Sequence, residues 1–159
     1  MTLKDLTELK WKYDCTQTRM PPDYVVRTKY SDKTANGLEK AIVAFIKLNG
    51  GMAERVKNTG RYIDESKVVT DVMGYTKRIG SGKYITGTGT NGSADIHSTI
   101  RGRTVAIEVK IGADKQSDAQ KEYQTMIERA GGIYMIAKTF DNFYEQYEKI
   151  QNNNNKQTN

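Results

Sequence analysis

The sequence predicts an α/β fold: a mixed β-sheet flanked by helices, in the order helix, strands, helix, strand, helix. Three observations carry that expectation. Apolar residues recur at helical spacing over 36–49. Two alternating segments, 93–100 and 104–111, meet at Arg101-Gly102. A capped amphipathic stretch from Ser117 to Ala130 leads into a short apolar strand at 133–137. Strand 104–111, that helix and strand 133–137 compose a right-handed crossover between parallel strands.

Taken in order, residues 1–30 read as an N-terminal arm or appended helix, with Leu3, Leu6 and Leu9 on one side and Pro21-Pro22 ending the pattern. Leu38, Ala41, Ile42, Phe45, Ile46 and Leu48 then line one helical face, and Gly50-Gly51 supplies the stop. Residues 52–57 and 66–73 read as strands around a polar connection near Asn58-Thr-Gly60, and 74–92 as a Gly-rich, basic loop. Ser117-Asp-Ala-Gln120 has the spacing of a capping box, and the helix it opens stops at Gly131-Gly132. Phe143, Tyr144 and Tyr147 mark a closing helix over 141–150. Residues 31–150 therefore form one domain, and the Asn/Gln-rich run 151–159 is expected to be a disordered tail.

At 159 residues the chain is long enough to bury a core without disulfides. Its 25 Lys+Arg against 19 Asp+Glu leave a formal charge of +6, which favours a polyanionic partner, nucleic acid first. Cys15 is the single cysteine and His97 the single histidine, so an internal disulfide and a Cys/His zinc site are both excluded. A reducing, cytoplasmic setting is expected. No apolar run approaches the roughly 20 residues that span a bilayer, and the first residues lack an apolar signal core, so no membrane association is expected.

The chemistry is concentrated in the segments about Arg101-Gly102. A symmetric reversal there sets Asp95 opposite Glu108. Ala94, Ile96, Ile100, Val105, Ile107, Val109 and Ile111 then share one face. Ser93, Asp95, His97, Thr99, Thr104, Ala106, Glu108 and Lys110 share the other. Directly opposed carboxylates have Cβ atoms roughly 5 Å apart and repel unless a positive charge lies between them. A hard divalent cation, Mg²⁺ or Mn²⁺, resolves that repulsion, and such a cation beside phosphate oxygens is the chemistry of phosphodiester cleavage. Lys110, two residues beyond Glu108 on the same face, is placed to steady attacking water or developing negative charge. The same acids would also serve as the solvated face of an edge hairpin with Lys110 as a neutralising neighbour, and the residues alone leave both readings open.

Gly92-Ser-Ala-Asp95, Ile107-Glu-Val-Lys110 and Ser117-Asp-Ala-Gln120 together resemble the PD-(D/E)XK nuclease superfamily, and within it the VRR-NUC (virus-type replication-repair nuclease) family, over about residues 36–143. Ala94 stands where the superfamily motif has proline. The resemblance implies a restriction-endonuclease-like core. It implies Asp95, Glu108 and the Val109 carbonyl as ligands of Mg²⁺ or Mn²⁺, Lys110 as catalytic lysine, Gln120 as an active-site helper, and Glu39 as an acid contributed by the first helix. It further implies a Mg-dependent DNA endonuclease, a homodimer cutting branched DNA such as four-way junctions, in repair, recombination or phage replication. The alternative is a catalytically inactive DNA-binding or assembly module that keeps the fold. Read from the residues, Glu39 either borders the packed side of its helix or is an exposed first-turn acid favoured by the helix dipole. Gln120 at the third helical position can cap Ser117 and serve the site together.

Two phosphate-loop echoes fail. Gly87-Thr-Gly-Thr-Asn-Gly92 precedes a strand instead of opening a helix, and Gly80-Ser-Gly-Lys83 is followed by Tyr84 where Ser or Thr would hold Mg²⁺. The cations around them, Lys77, Arg78 and Lys83 with Tyr75 and Tyr84, and Arg55, Lys57 and Arg61 before them, are the expected DNA-backbone contacts.

Overall fold

The computed structural model describes residues 1–56, 60–85, 87 and 89–155, the last three of these by backbone alone. The expected contact residue Lys57 lies outside the described residues. The chain divides into two compact units, Met1–Val56 with Gly92–Asn159, and Lys57–Asn91.

The first unit contains α1 (Leu3–Gln17), a 3₁₀ turn (Pro22–Tyr24), α2 (Ala35–Leu48), β1 (Met52–Arg55), β6 (Ile96–Ile100), β7 (Arg103–Val109), α3 (Asp118–Arg129), β8 (Ile133–Ala137) and α4 (Phe140–Asn155). The second contains β2 (Arg61–Asp64), β3 (Lys67–Thr70), β4 (Thr76–Ile79) and β5 (Gly82–Ile85). The sheet of the first unit has the order β1-β6-β7-β8. Its first two pairings are antiparallel, and β7 runs parallel to β8 with α3 as the crossover. The α/β class and the mixed sheet flanked by helices agree with the sequence.

The Thr34 side chain caps α2 by accepting from the Gly37 N–H, and Leu38, Ala41, Ile42, Phe45 and Ile46 all become buried. Phe45 meets the rings of Phe140, Phe143, Tyr144 and Tyr147 edge-on at 4.8–5.8 Å, which locks α4 against α2. These side chains pack on Ile96, Ile100, Val105, Ile107 and Val109. Tyr123 of α3 packs on Ala94 and Ala106, with Ile127 and Tyr134 beside them. Both faces of the β6–β7 pair are therefore covered, and the sheet face carrying the acids is not open solvent.

Three expectations about extent become more specific. Within residues 1–30, expected as an arm or appended helix, α1 packs on α2 as part of the first unit, and its Leu6 is fully buried in the main core. α4 continues to Asn155 where a tail was expected from 151, and Gln151 accepts from Arg101 Nε at 3.1 Å. The 74–92 loop contains β4 and β5. Glycine there did not prevent pairing, because the segment reverses at Asp71–Tyr75 and zips back along β3 and β2.

The 93–111 hairpin has the expected register, His97 opposite Ala106 and Thr99 opposite Thr104. Arg101 (φ 50°) and Gly102 (φ 76°) both take left-handed conformations, the signature of a two-residue type I′ turn. Gly102→Ala, whose Cβ would meet nothing within 4 Å, is expected to destabilise by about 1–2 kcal/mol through backbone conformation alone, measurable by chemical denaturation. Among the described residues no helix is long and apolar enough to cross a membrane.

Candidate active site

β6 begins at Ile96, one residue after Asp95, where an extended Ser93–Ile100 strand was expected. The chain bends at Asp95, and this turns Ala94 away from the Ile96 side, so Ala94 packs with Ala106 and Tyr123 instead of with the apolar set assigned to it. The bend is pinned at both ends of the residue. The Asp95 carbonyl accepts from the Val56 N–H at 2.8 Å, and its carboxylate Oδ2 accepts from the Val109 N–H at 2.9 Å. The second bond draws Asp95 across to β7 beside Glu108.

Glu108 is 2% exposed. Its Oε1 accepts from Gln120 Nε2 and lies 3.1 Å from Lys110 Nζ, while its Oε2 is buried with no hydrogen-bond partner. Burial, then the charge of Asp95, push its carboxyl up to about 7 against the pull of Lys110. Lys110, 7% exposed, lies 3.3 Å from Asp114 Oδ2 as well. Burial alone would lower its ammonium, but the hydrogen bonds and charges of Glu108 and Asp114 outweigh burial and hold it above its ordinary value. Its ammonium is thereby held in the charged form.

Gln120 performs both roles open to it. Its Oε1 accepts from the Ser117 N–H at 2.9 Å and its N–H donates to the Ser117 hydroxyl, closing the capping box, while Nε2 holds Glu108. The start of α3 is set by Gly92 (φ 75°): a Cβ there would lie 2.4 Å from the Ala119 carbonyl and 2.7 Å from the Gln120 nitrogen. Only a glycine admits that approach.

The structure thus brings together Asp95, Glu108, Lys110 and Gln120. Glu39 Oε2 accepts from Nε and Nη2 of Arg55, so these two expected residues are paired with each other. Arg61, Lys77, Arg78 and Lys83 all belong to the second unit and are exposed. His97 shares a 2.9 Å hydrogen bond with the Tyr123 hydroxyl and stacks on that ring, so it holds α3. Two residues were not foreseen. Asp114 is the second acid on Lys110, and its position four residues on was the available signal. Tyr134, opposite Ala106 on β8, has its phenol pushed up to about 12 by burial and the nearby Glu108; nothing in the sequence marked it.

The cluster suits a cation by one observation: a buried carboxylate oxygen without a partner, beside a second carboxylate that repels it. Asp95 and Glu108 could hold a hard divalent ion. Among the described residues no group of three or more His, Cys, Asp or Glu is placed to hold a metal, so backbone or water oxygens would complete the shell. No family model matches the chain, and no curated protein matches it in sequence.

Proposed function

We propose that this protein is a Mg²⁺- or Mn²⁺-dependent endodeoxyribonuclease with a restriction-endonuclease-like core, akin to the VRR-NUC nucleases its motifs resemble. The observation that carries the reading is the buried, half-satisfied Glu108 carboxylate facing Asp95, with a protonated lysine on its other oxygen. Asp95, Glu108 and the Val109 carbonyl would hold the ion, which supplies Lewis-acid stabilisation of phosphoryl charge and acidifies a bound water. Gln120 fixes the Glu108 rotamer through α3. Lys110 places a full positive charge where negative charge grows on the phosphate in the transition state, and Asp114 keeps that charge oriented. The net charge of +6 favours DNA as substrate, and branched DNA cut by a homodimer is the preferred form of the proposal.

A second reading, a silent DNA-binding module, is favoured by the ligand set of only two carboxylates. Supercoiled plasmid and a four-way junction incubated with Mg²⁺ or Mn²⁺ separate the two. Nicking or resolution that EDTA stops and Asp95→Asn loses is the expected result. Tight DNA binding with no metal-dependent cutting would establish the module.

A further inference from the structure

The second unit is a ribbon of two successive two-stranded ladders. β2 against β5 and β3 against β4 keep a single register, Arg61 opposite Ile85 at one end and Thr70 opposite Thr76 at the other. Alternation along such a ribbon assigns every side chain to one of two faces. The odd-numbered face carries Arg61, Lys67, Lys77 and Lys83, each directly opposite an aliphatic residue: Ile85, Ile79, Val69 and Ile63. Two acids flank its strands: Glu65 lies 3.0 Å from Lys83, and Asp71 is taken up by N–H groups of the turn. The even-numbered face is balanced, with Arg78 on Asp64 at 2.8 Å, and it is filled at one end by Tyr62 and Tyr84, whose rings lie over Gly82 and Gly60. Positive charge is thus sorted to one side, in two diagonal pairs roughly 20 Å apart along the strands.

The end of the ribbon is built differently. Asp71 accepts from the Met73 and Tyr75 N–H groups, both at 2.9 Å, and Gly74 N–H donates to the Asp71 carbonyl at 3.0 Å. This hydrogen-bonded turn presents Val72 and Met73 at 103% and 78% exposure. Two apolar side chains held outward beyond a cationic face match the way architectural proteins enter DNA, with cations on the backbone and an apolar wedge between base steps. A two-stranded ribbon with Val69 and Ile79 about half exposed is marginal by itself, so a partner that covers it also stabilises it.

We propose that residues 61–85 are a DNA-gripping arm: the odd-numbered face binds the phosphates of a duplex, and Val72-Met73 wedge between bases. The arm rests on the reading that DNA is the partner, but it requires no catalysis. It assigns Lys67 a contact and removes Arg78 from the contacts expected of the sequence. Recognition is of backbone and deformability, with no base code.

The test uses full-length protein without metal, so that cutting does not intervene, and fluorescence anisotropy on a 30-bp duplex and a four-way junction. The combined variant Arg61→Gln, Lys67→Gln, Lys77→Gln, Lys83→Gln is expected to flatten the slope of log affinity against log salt by about 3–4, and Arg78→Gln to leave it unchanged. Val72→Ser with Met73→Ser is expected to keep the salt slope and abolish the 2-aminopurine fluorescence rise that reports unstacking. Circular dichroism confirms folding of each variant, since every altered side chain is exposed. An unchanged slope in the combined variant overturns the grip. Unstacking that survives the tip variant overturns the wedge. Loss of self-association in sedimentation with DNA binding intact would make the face a contact between copies and overturn the proposal. A wild type that binds through the arm and never cuts DNA defeats the nuclease reading alone.

Discussion

Glu108→Gln is expected to make the metal-free protein more stable at pH 8 while eliminating metal-dependent cleavage. The folded carboxyl titrates near 7 and the unfolded one near its ordinary 4.5. Below the lower value both states hold the proton and the residue exacts no penalty. Between the two values unfolding releases a proton, so stability falls as pH rises, by about 3 kcal/mol in all, and remains at that deficit above the folded value. Glutamine accepts the Gln120 hydrogen bond without a charge and removes this slope. Thermal melts from pH 4 to 8.5 check it: wild type declines across the interval and the variant lacks that component. Added Mn²⁺ should restore the wild type at pH 8 and leave the variant unmoved. A variant less stable than wild type at pH 8 would mean that the Glu108–Lys110 pair outweighs its burial cost, against the arrangement described above.

Lys110→Ala should lower cleavage by roughly 10²–10³-fold, the effect of removing one preorganised charge from a transition state. It also removes the cation that holds the Glu108 carboxyl down, so residual activity should move to higher pH, where that group can still ionise to meet the metal. Plasmid-nicking rates from pH 6 to 9.5 measure both effects. Unaltered rates would exclude Lys110 from the chemistry.

Much of this site was legible because a hairpin has only two faces. With Arg101-Gly102 as the turn, alternation puts Glu108 and Lys110 on one face and brings Asp95 close to it, where the Val109 N–H bond holds it, and the capping box puts Gln120 at the start of α3. What escaped depended on contacts that no local pattern encodes. Glu39 pairs with Arg55 on β1, a partner that its place on the helix does not name. Ala94 obeyed alternation on paper but sits beyond the bend at Asp95, which arises from bonds to Val56 and Val109. The 74–92 stretch read as loop because its glycines and charges depress strand propensity; its pairing comes from a remote partner strand. The burial of Leu6 depended likewise on α2, a neighbour that three spaced leucines could not name.

β1 and β6 are antiparallel neighbours, and the Val56–Asp95 bond closes their ends before the chain departs into residues 57–91. The excursion is therefore an insertion at a doorway that a few residues could shut, much as a graft joins a stem at a single cut. Replacing it by a short tether should leave the doorway and the acids beside it standing.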